Sequence, residues 1–205
     1  LTLHLSGKDG YGRQVPSTTL TLAIIFAIVG ARLFYVITNP SHFNSLVSII
    51  KLNQGGLVAY GGYIGGALAG YFYLRAKGEN FWRFADCATP SLALGLGITR
   101  IGCFLYGCDF GTPSDVPWAV QFPAGSPAHA DHIAAKLIPP DAAASLPIHT
   151  TQLYSSLNGL FLFGVLMLLR KHKRFHGQTF LTFVGLYGVT RSLLELVRGD
   201  SQRGS

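Results

Sequence analysis

Apolar residues gather into five runs, separated by three short loops and one long polar segment. Residues 18 to 38, TTLTLAIIFAIVGARLFYVIT, are long enough to cross a hydrocarbon core as a helix. Further spans are expected at 57 to 74, at 84 to 105, at about 151 to 169, and in a last run that starts at Phe180. That last run carries YGVTRSLLELVR, residues 187 to 198. On a helix, Arg191, Glu195 and Arg198 recur at i, i+4 and i+7 and share one face. An ionisable residue near the centre of a spanning helix costs at least about 2.5 to 3.5 kcal/mol, and by default marks a functional site. The competing readings are a structural pair that neutralises itself, or side chains that snorkel to the interface.

The other runs carry fewer polar residues. Arg32 lies near the far end of the first and is expected to snorkel outward. The second, LVAYGGYIGGALAGYFYL, holds Gly61, Gly62, Gly65, Gly66 and Gly70 at small-xxx-small spacings, so one face can receive another backbone. Tyr60 enters this run at the depth of an interface anchor. A loop at 39 to 56, with Pro40 and Lys51, ends in Gly55 and Gly56. The third run contains Asp86, Pro90 and, near its end, Arg100.

Composition agrees with this pattern. The 205 residues are 49% hydrophobic and 12% charged, where soluble domains carry roughly 25% charge. Mean hydropathy is +0.35. The expected fold is an all-α integral membrane protein, a polytopic bundle of about five spanning helices forming a single domain, 1–205. The net charge of +7 comes from basic residues in short loops, which argues against nucleic acid as a partner. Residues 1 to 17 lack the apolar core of a signal peptide. Cys87, Cys103 and Cys108 show no zinc spacing, and no metal or cofactor is expected. Cys103 and Cys108 could form a local disulfide on an oxidising side or stay as two thiols.

Charge also predicts topology. Segments 1–17, 75–83 and 170–177 carry +1, +2 and +4, and the long segment 106–150 carries −3. The positive-inside rule places the first three in the cytoplasm and 106–150 outside, as a candidate head or lid whose part 124 to 145 is expected to be the more mobile. Tyr60, Arg100, His149, Arg191, Glu195 and Arg198 then all fall at the outer leaflet. Two guanidinium groups at a lipid interface suit a phosphate, because the planar fork bonds it twice and stays charged.

GARLFYV, GLVAYGGYIGG, RIGCFLYGCDFG, PIHTTQLY and YGVTRSLLELVR, in this order, resemble the bacterial prolipoprotein diacylglyceryl transferases. The resemblance runs from about residue 20 to 200. It implies transfer of the diacylglyceryl group of phosphatidylglycerol to the lipobox cysteine of a prolipoprotein signal peptide, releasing glycerol phosphate. It also implies a multi-pass protein of the bacterial cytoplasmic (inner) membrane with its active site toward the outer face. Arg100 matches the arginine of the family's signature segment and Arg191 its second essential arginine. Tyr187, Glu195 and Arg198 match further polar positions of the last motif, and His149, Gln152, Leu153 and Tyr154 match its HPSQLY stretch. Tyr60, Gly61 and Gly62 stand where many members have HGG. A tyrosine, with an ordinary pKa near 10, is a poor base at neutral pH, so Tyr60 is expected to position substrate by hydrogen bonding.

This sequence departs from the family at Cys103, Tyr106 and Cys108, which replace two Asn and the Glu of the signature. The family has seven spanning helices, which implies that counterparts of its first and last lie outside this sequence. The expected chemistry is displacement at the glyceryl carbon bearing the phosphate, with Arg100 and Arg191 stabilising the departing phosphate and His149 as the spare base. The alternatives are a non-catalytic phospholipid- or lipoprotein-binding paralogue, an anionic-solute transporter and, least favoured, a scaffold for partner helices.

Overall fold

The computed structural model describes residues 1–40 and 56–199. Its helices are α1 (Thr2–Lys8), α2 (Gln14–Thr38), α3 (Ala59–Ala76), α4 (Phe81–Tyr106), α5 (Pro127–Ala134), α6 (Thr151–Lys171) and α7 (Gln178–Glu195). No strand occurs among the described residues, only isolated antiparallel bridges. Most of the loop expected at 39 to 56, including Lys51 and Gly55, lies outside the described residues.

Every expected apolar run is a helix, and the protein is an all-α membrane protein. Among the described residues, α2, α4 and α6 are long and apolar enough to cross a membrane; α3 and α7, also expected as spans, fall short of that measure. The reason is compositional. Glycines and tyrosines dilute the apolar residues of α3, and α7 holds Arg191 and Glu195 with several hydroxyl residues. In α2 only 11% of the apolar stretch is buried. Ile24, Ile25, Ile28, Val29, Leu33 and Ile37 are exposed, a surface that water would reject and lipid solvates.

The chain forms two compact units, Leu1–Ala88 and Thr89–Ser205. In the first, α2 and α3 pack backbone to backbone. A Cβ on Gly61 would collide with the Gly30 carbonyl and Phe34, and one on Gly65 with the Phe26 carbonyl. The glycine spacing therefore serves close helix contact. Arg32 does not snorkel. It is buried, and its Nη1 donates to the Gly56 carbonyl at 3.1 Å, because the carbonyl at this chain bend offers an acceptor inside the unit. A small core of Tyr11, Leu74, Phe84 and Cys87 ties the first residues to the start of α4. The Arg83 guanidinium lies 4.6 Å from the centre of the Tyr11 ring, and Cys87 Sγ donates to Asp9 Oδ2 at 2.8 Å.

In the second unit, α4, α6 and α7 share a core of Ala93, Leu162, Leu166 and Phe183. A Cβ on Gly159 would stand 2.6 Å from the Gly97 backbone nitrogen, so α4 and α6 cross at a point where only glycine fits. Phe110, Phe122, Ala128 and Ile148 form a separate core under the long segment, with Phe104 packed against it. Residues 124 to 145 are folded within it, contrary to expectation. Ser126 caps α5 by accepting the His129 N–H at 3.2 Å, Pro127 occupies the first turn, and His129 and His132 are buried.

Gly61→Val should loosen the α2–α3 pair and lower stability by about 1–3 kcal/mol. Gly164→Ala, where nothing lies within 4 Å of the added carbon, should be neutral or stabilising. Thermal unfolding of both variants in detergent checks this, and equal losses would contradict it.

Candidate active site

The site begins where α4 ends. Gly107, at φ +80°, takes the left-handed conformation that stops the helix, and its N–H and that of Cys108 both donate to the Cys103 carbonyl, at 2.9 and 3.2 Å. Asp109 follows, also at positive φ, 54°. Asp tolerates this region better than most residues, but the conformation still costs energy and persists because its surroundings fix it.

Those surroundings are two arginines and a threonine. Arg100 Nη1 donates to Asp109 Oδ2 at 2.6 Å and Arg198 Nη2 to Oδ1 at 2.8 Å, while Thr151 Oγ1 donates to the Asp109 carbonyl at 2.8 Å. One carboxylate thus joins the end of α4 to the residues that follow α7. Backbone bonds repeat the connection. The Gly111 N–H donates to the His149 carbonyl at 3.0 Å, Thr112 N–H to Val197 at 3.1 Å, and Gly199 N–H to Phe110 at 3.2 Å. A Cβ on Gly111 or Gly199 would come within 2.7 Å of these neighbouring strands of chain, so glycine is required at both.

Three helices enclose a small cleft beside this clasp. Its polar lining is Arg100, Ser155, Asn158, Tyr187 and Arg191, and its free space is about 20 Å³, room for about one water. The Gly97–Gly159 crossing sets its width. Tyr187 is stacked on Phe183 with ring centres 5.5 Å apart. Arg191 Nη1 pairs with Glu195 Oε2 at 2.6 Å, one turn along α7, with side chains 32% and 39% exposed. The pair is local, at i and i+4 on one face of α7, so a move of Arg191 disturbs no other helix.

The expected site residues therefore fall into groups. Arg100, Arg191 and Tyr187 share the cleft, Glu195 reaches it through Arg191, and Arg198 reaches it through Asp109. His149 and Tyr154 form another group, with His149 Nδ1 3.2 Å from the Tyr154 hydroxyl, which accepts from Trp118 Nε1 at 2.5 Å. Gln152 is buried, and its Nε2 donates to the Cys108 carbonyl at 2.8 Å, bracing the turn from below. Tyr60, Gly61 and Gly62 belong to the first unit, where Tyr60 is 73% exposed.

Asp109 was missed as a site residue by sequence reasoning. A signal was present, because a carboxylate stands one position after Cys108, which replaces the signature Glu. Asn158, whose Nδ2 donates to Thr190 at 3.0 Å, gave no signal. Cys103 and Cys108 are free thiols. Burial and the neighbouring Cys103 push the Cys108 thiol up to about 11, so it stays protonated at neutral pH.

The fold and the site define the class: a helical membrane protein whose cleft holds two guanidinium groups, each paired with a carboxylate. Comparison with known proteins narrows that class. The family model described as Prolipoprotein diacylglyceryl transferase matches residues 6–204. A Clostridium tetani protein named phosphatidylglycerol–prolipoprotein diacylglyceryl transferase is 34% identical over 196 residues, covering 95% of this chain and 73% of its own length. Proteins of the same name from Finegoldia magna and Thermus thermophilus are 33% and 34% identical, covering 98% and 84% of this chain and 73% and 64% of their own lengths. The chain belongs to the prolipoprotein diacylglyceryl transferase family.

The segment 106–150 carries a pH dependence. Burial lowers the pKa of His132 below its ordinary 6.5, and its Nδ1 accepts the Leu146 N–H at 3.2 Å, which a protonated ring cannot do. The folded state then binds fewer protons than the unfolded state, so this contribution is present above pH 6.5 and is lost as pH falls through the depressed value. Amide protection at Leu146 should drop on acidification below 6.5, and His132→Asn should flatten that dependence. Unchanged pH dependence in the variant would contradict the assignment.

Proposed function

We propose that this chain transfers the diacylglyceryl group of phosphatidylglycerol to the cysteine thiol of a prolipoprotein signal peptide in the bacterial inner membrane. The observation that carries this reading is the cleft lined by both Arg100 and Arg191. Each guanidinium has five N–H donors, so each can keep its carboxylate and still present donors to a phosphodiester. The phospholipid phosphate lies between them, and Tyr187 and Asn158 supply further hydrogen bonds.

In the reacting step the thiolate sulfur bonds to the glyceryl carbon as the carbon–oxygen bond to phosphate breaks. The electron pair leaves on the phosphate oxygen of glycerol phosphate. The developing charge meets donors already in place, the preorganised effect that is usually the largest single term. Arginines nearby also lower the pKa of an incoming thiol from about 8.5. Asp109 fixes Arg100 and Arg198 relative to each other, and Glu195 orients Arg191 along α7. Tyr60 and the glycines at 61 and 62 serve substrate binding in this reading, with Tyr60 as a hydrogen-bonding positioner. His149, bonded to Tyr154 and outside the cleft lining, is the spare base. The cleft faces the outer leaflet, and segment 106–150 is a head over it.

The test is incubation of the purified protein with phosphatidylglycerol and a lipobox peptide, with mass spectrometry for the diacylglyceryl adduct. Arg191→Ala should slow adduct formation by about a hundredfold to a thousandfold, and His149→Ala by less. Equal or reversed losses would reject that division of labour. Lipid binding with no adduct would favour the binding-paralogue reading, which the replaced signature residues Cys103, Tyr106 and Cys108 support. Asp109→Asn, which keeps the shape and removes the charge, should weaken the clasp by about 1–3 kcal/mol. It should reduce turnover with little change in the amount of folded protein, and full activity in this variant would remove Asp109 from the site.

A further inference from the structure

We propose that Cys103 and Cys108 form a two-thiolate site for a soft monovalent metal ion, copper(I), whose occupation engages Arg100. The two Sγ atoms and a carboxylate oxygen of Asp109 all lie within 4.8 Å of one another, and all three residues are partly buried. A metal–thiolate bond is about 2.3 Å, so two sulfurs facing each other across one ion stand about 4.6 Å apart. The helix stop at Gly107 turns Cys108 back beside the last turn of α4, where its N–H meets the Cys103 carbonyl at 3.2 Å.

The donor set selects the metal. Both Asp109 oxygens already accept from arginines, at 2.6 and 2.8 Å, which leaves two sulfurs. Zinc takes four ligands in structural sites, whereas soft thiolates select copper(I). Charge favours the same choice. Binding releases one proton from each thiol to solvent, with no change of oxidation state, and the resulting bis-thiolate copper(I) unit carries one negative charge. Arg100 Nη1, 3.9 Å from Cys103 Sγ, compensates it. A guanidinium engaged in this way presents fewer donors and less uncompensated charge to phosphate. The metal site itself does not depend on the transferase reading; its effect on turnover does.

The test offers copper(I) as its bicinchoninate complex to the full chain in detergent, under reductant and without oxygen. The expected result is withdrawal of one copper per chain, with a new thiolate–copper absorption in the ultraviolet. Withdrawal should be lost in Cys103→Ser and in Cys108→Ser and kept in Cys87→Ser, whose sulfur lies in the core of the first unit. A measurement on the unaltered chain avoids reliance on variants that fail to fold: copper(I) should shield Cys103 and Cys108 together from alkylation, as mapped by mass spectrometry. Copper uptake no greater than in the double serine variant, or shielding of one cysteine alone, would overturn the site. One-equivalent uptake of zinc in the same competition would overturn the choice of metal. Where the unaltered chain forms adduct, bound copper should slow transfer; full transfer by the copper-loaded chain would overturn the engagement of Arg100 and leave the transferase reading intact.

Discussion

The second unit depends on one carboxylate held in an unfavourable backbone conformation. Asp109 sits at positive φ, and a free chain would leave that region readily. Two charge-assisted hydrogen bonds from Arg100 and Arg198, and a third from Thr151 to its carbonyl, keep it there. Each participant comes from a different stretch of sequence. The end of α4, the start of α6 and the residues after α7 are therefore registered against one another at one point. Backbone pairing of 110–112 with 149 and 197–199 extends that registration, and glycines at 111 and 199 permit the approach.

The two ion pairs near the cleft differ in consequence because they differ in surroundings. Asp109 is shared by two arginines across large sequence separation, with Arg198 only 13% exposed, so breaking it leaves partly buried charge unpaired. Arg191 and Glu195 lie on one helix face at i and i+4, so a change in their contact disturbs no other helix. A rigid pair beside a local one is a sensible division for binding an anion: one guanidinium is fixed in place, and the other is available to close on what arrives.

Much of this was legible in the sequence. Apolar runs predicted all five long helices, because a continuous stretch of apolar residues in lipid has few alternatives to helix. Arg100 and Arg191 stood out because charged groups in such runs are costly enough to require a reason, whereas Tyr187 came only with the family resemblance. Two expected spans fell short of the apolar measure since α3 carries so much glycine and tyrosine and α7 its own ion pair. Asp109 was passed over because Arg100 lies nine residues away across a helix stop and Arg198 eighty-nine residues away, and only the fold shows that both reach one carboxylate. The fold of 124 to 145 was missed for a related reason. Its alanine- and proline-rich sequence lacks a long apolar period, and its Ala128 packs in a core with Phe110, Phe122 and Ile148, which lie outside it.

The size of the cleft adds a last constraint. With room for about one water, it admits a phosphodiester only when side chains move. Gly97 and Gly159 fix the helix crossing at backbone contact, so α4 and α6 cannot supply that movement without losing the contact that places Arg100. α7 is tied to them as well, by Asn158 Nδ2 to Thr190 Oγ1 at 3.0 Å and, just past its end, by Arg198 to Asp109. Room for a larger anion in this unit therefore comes from side chains: Arg191 is held by Glu195 and Tyr187 by stacking on Phe183, all on one helix, so both can swing while the three helices stay registered.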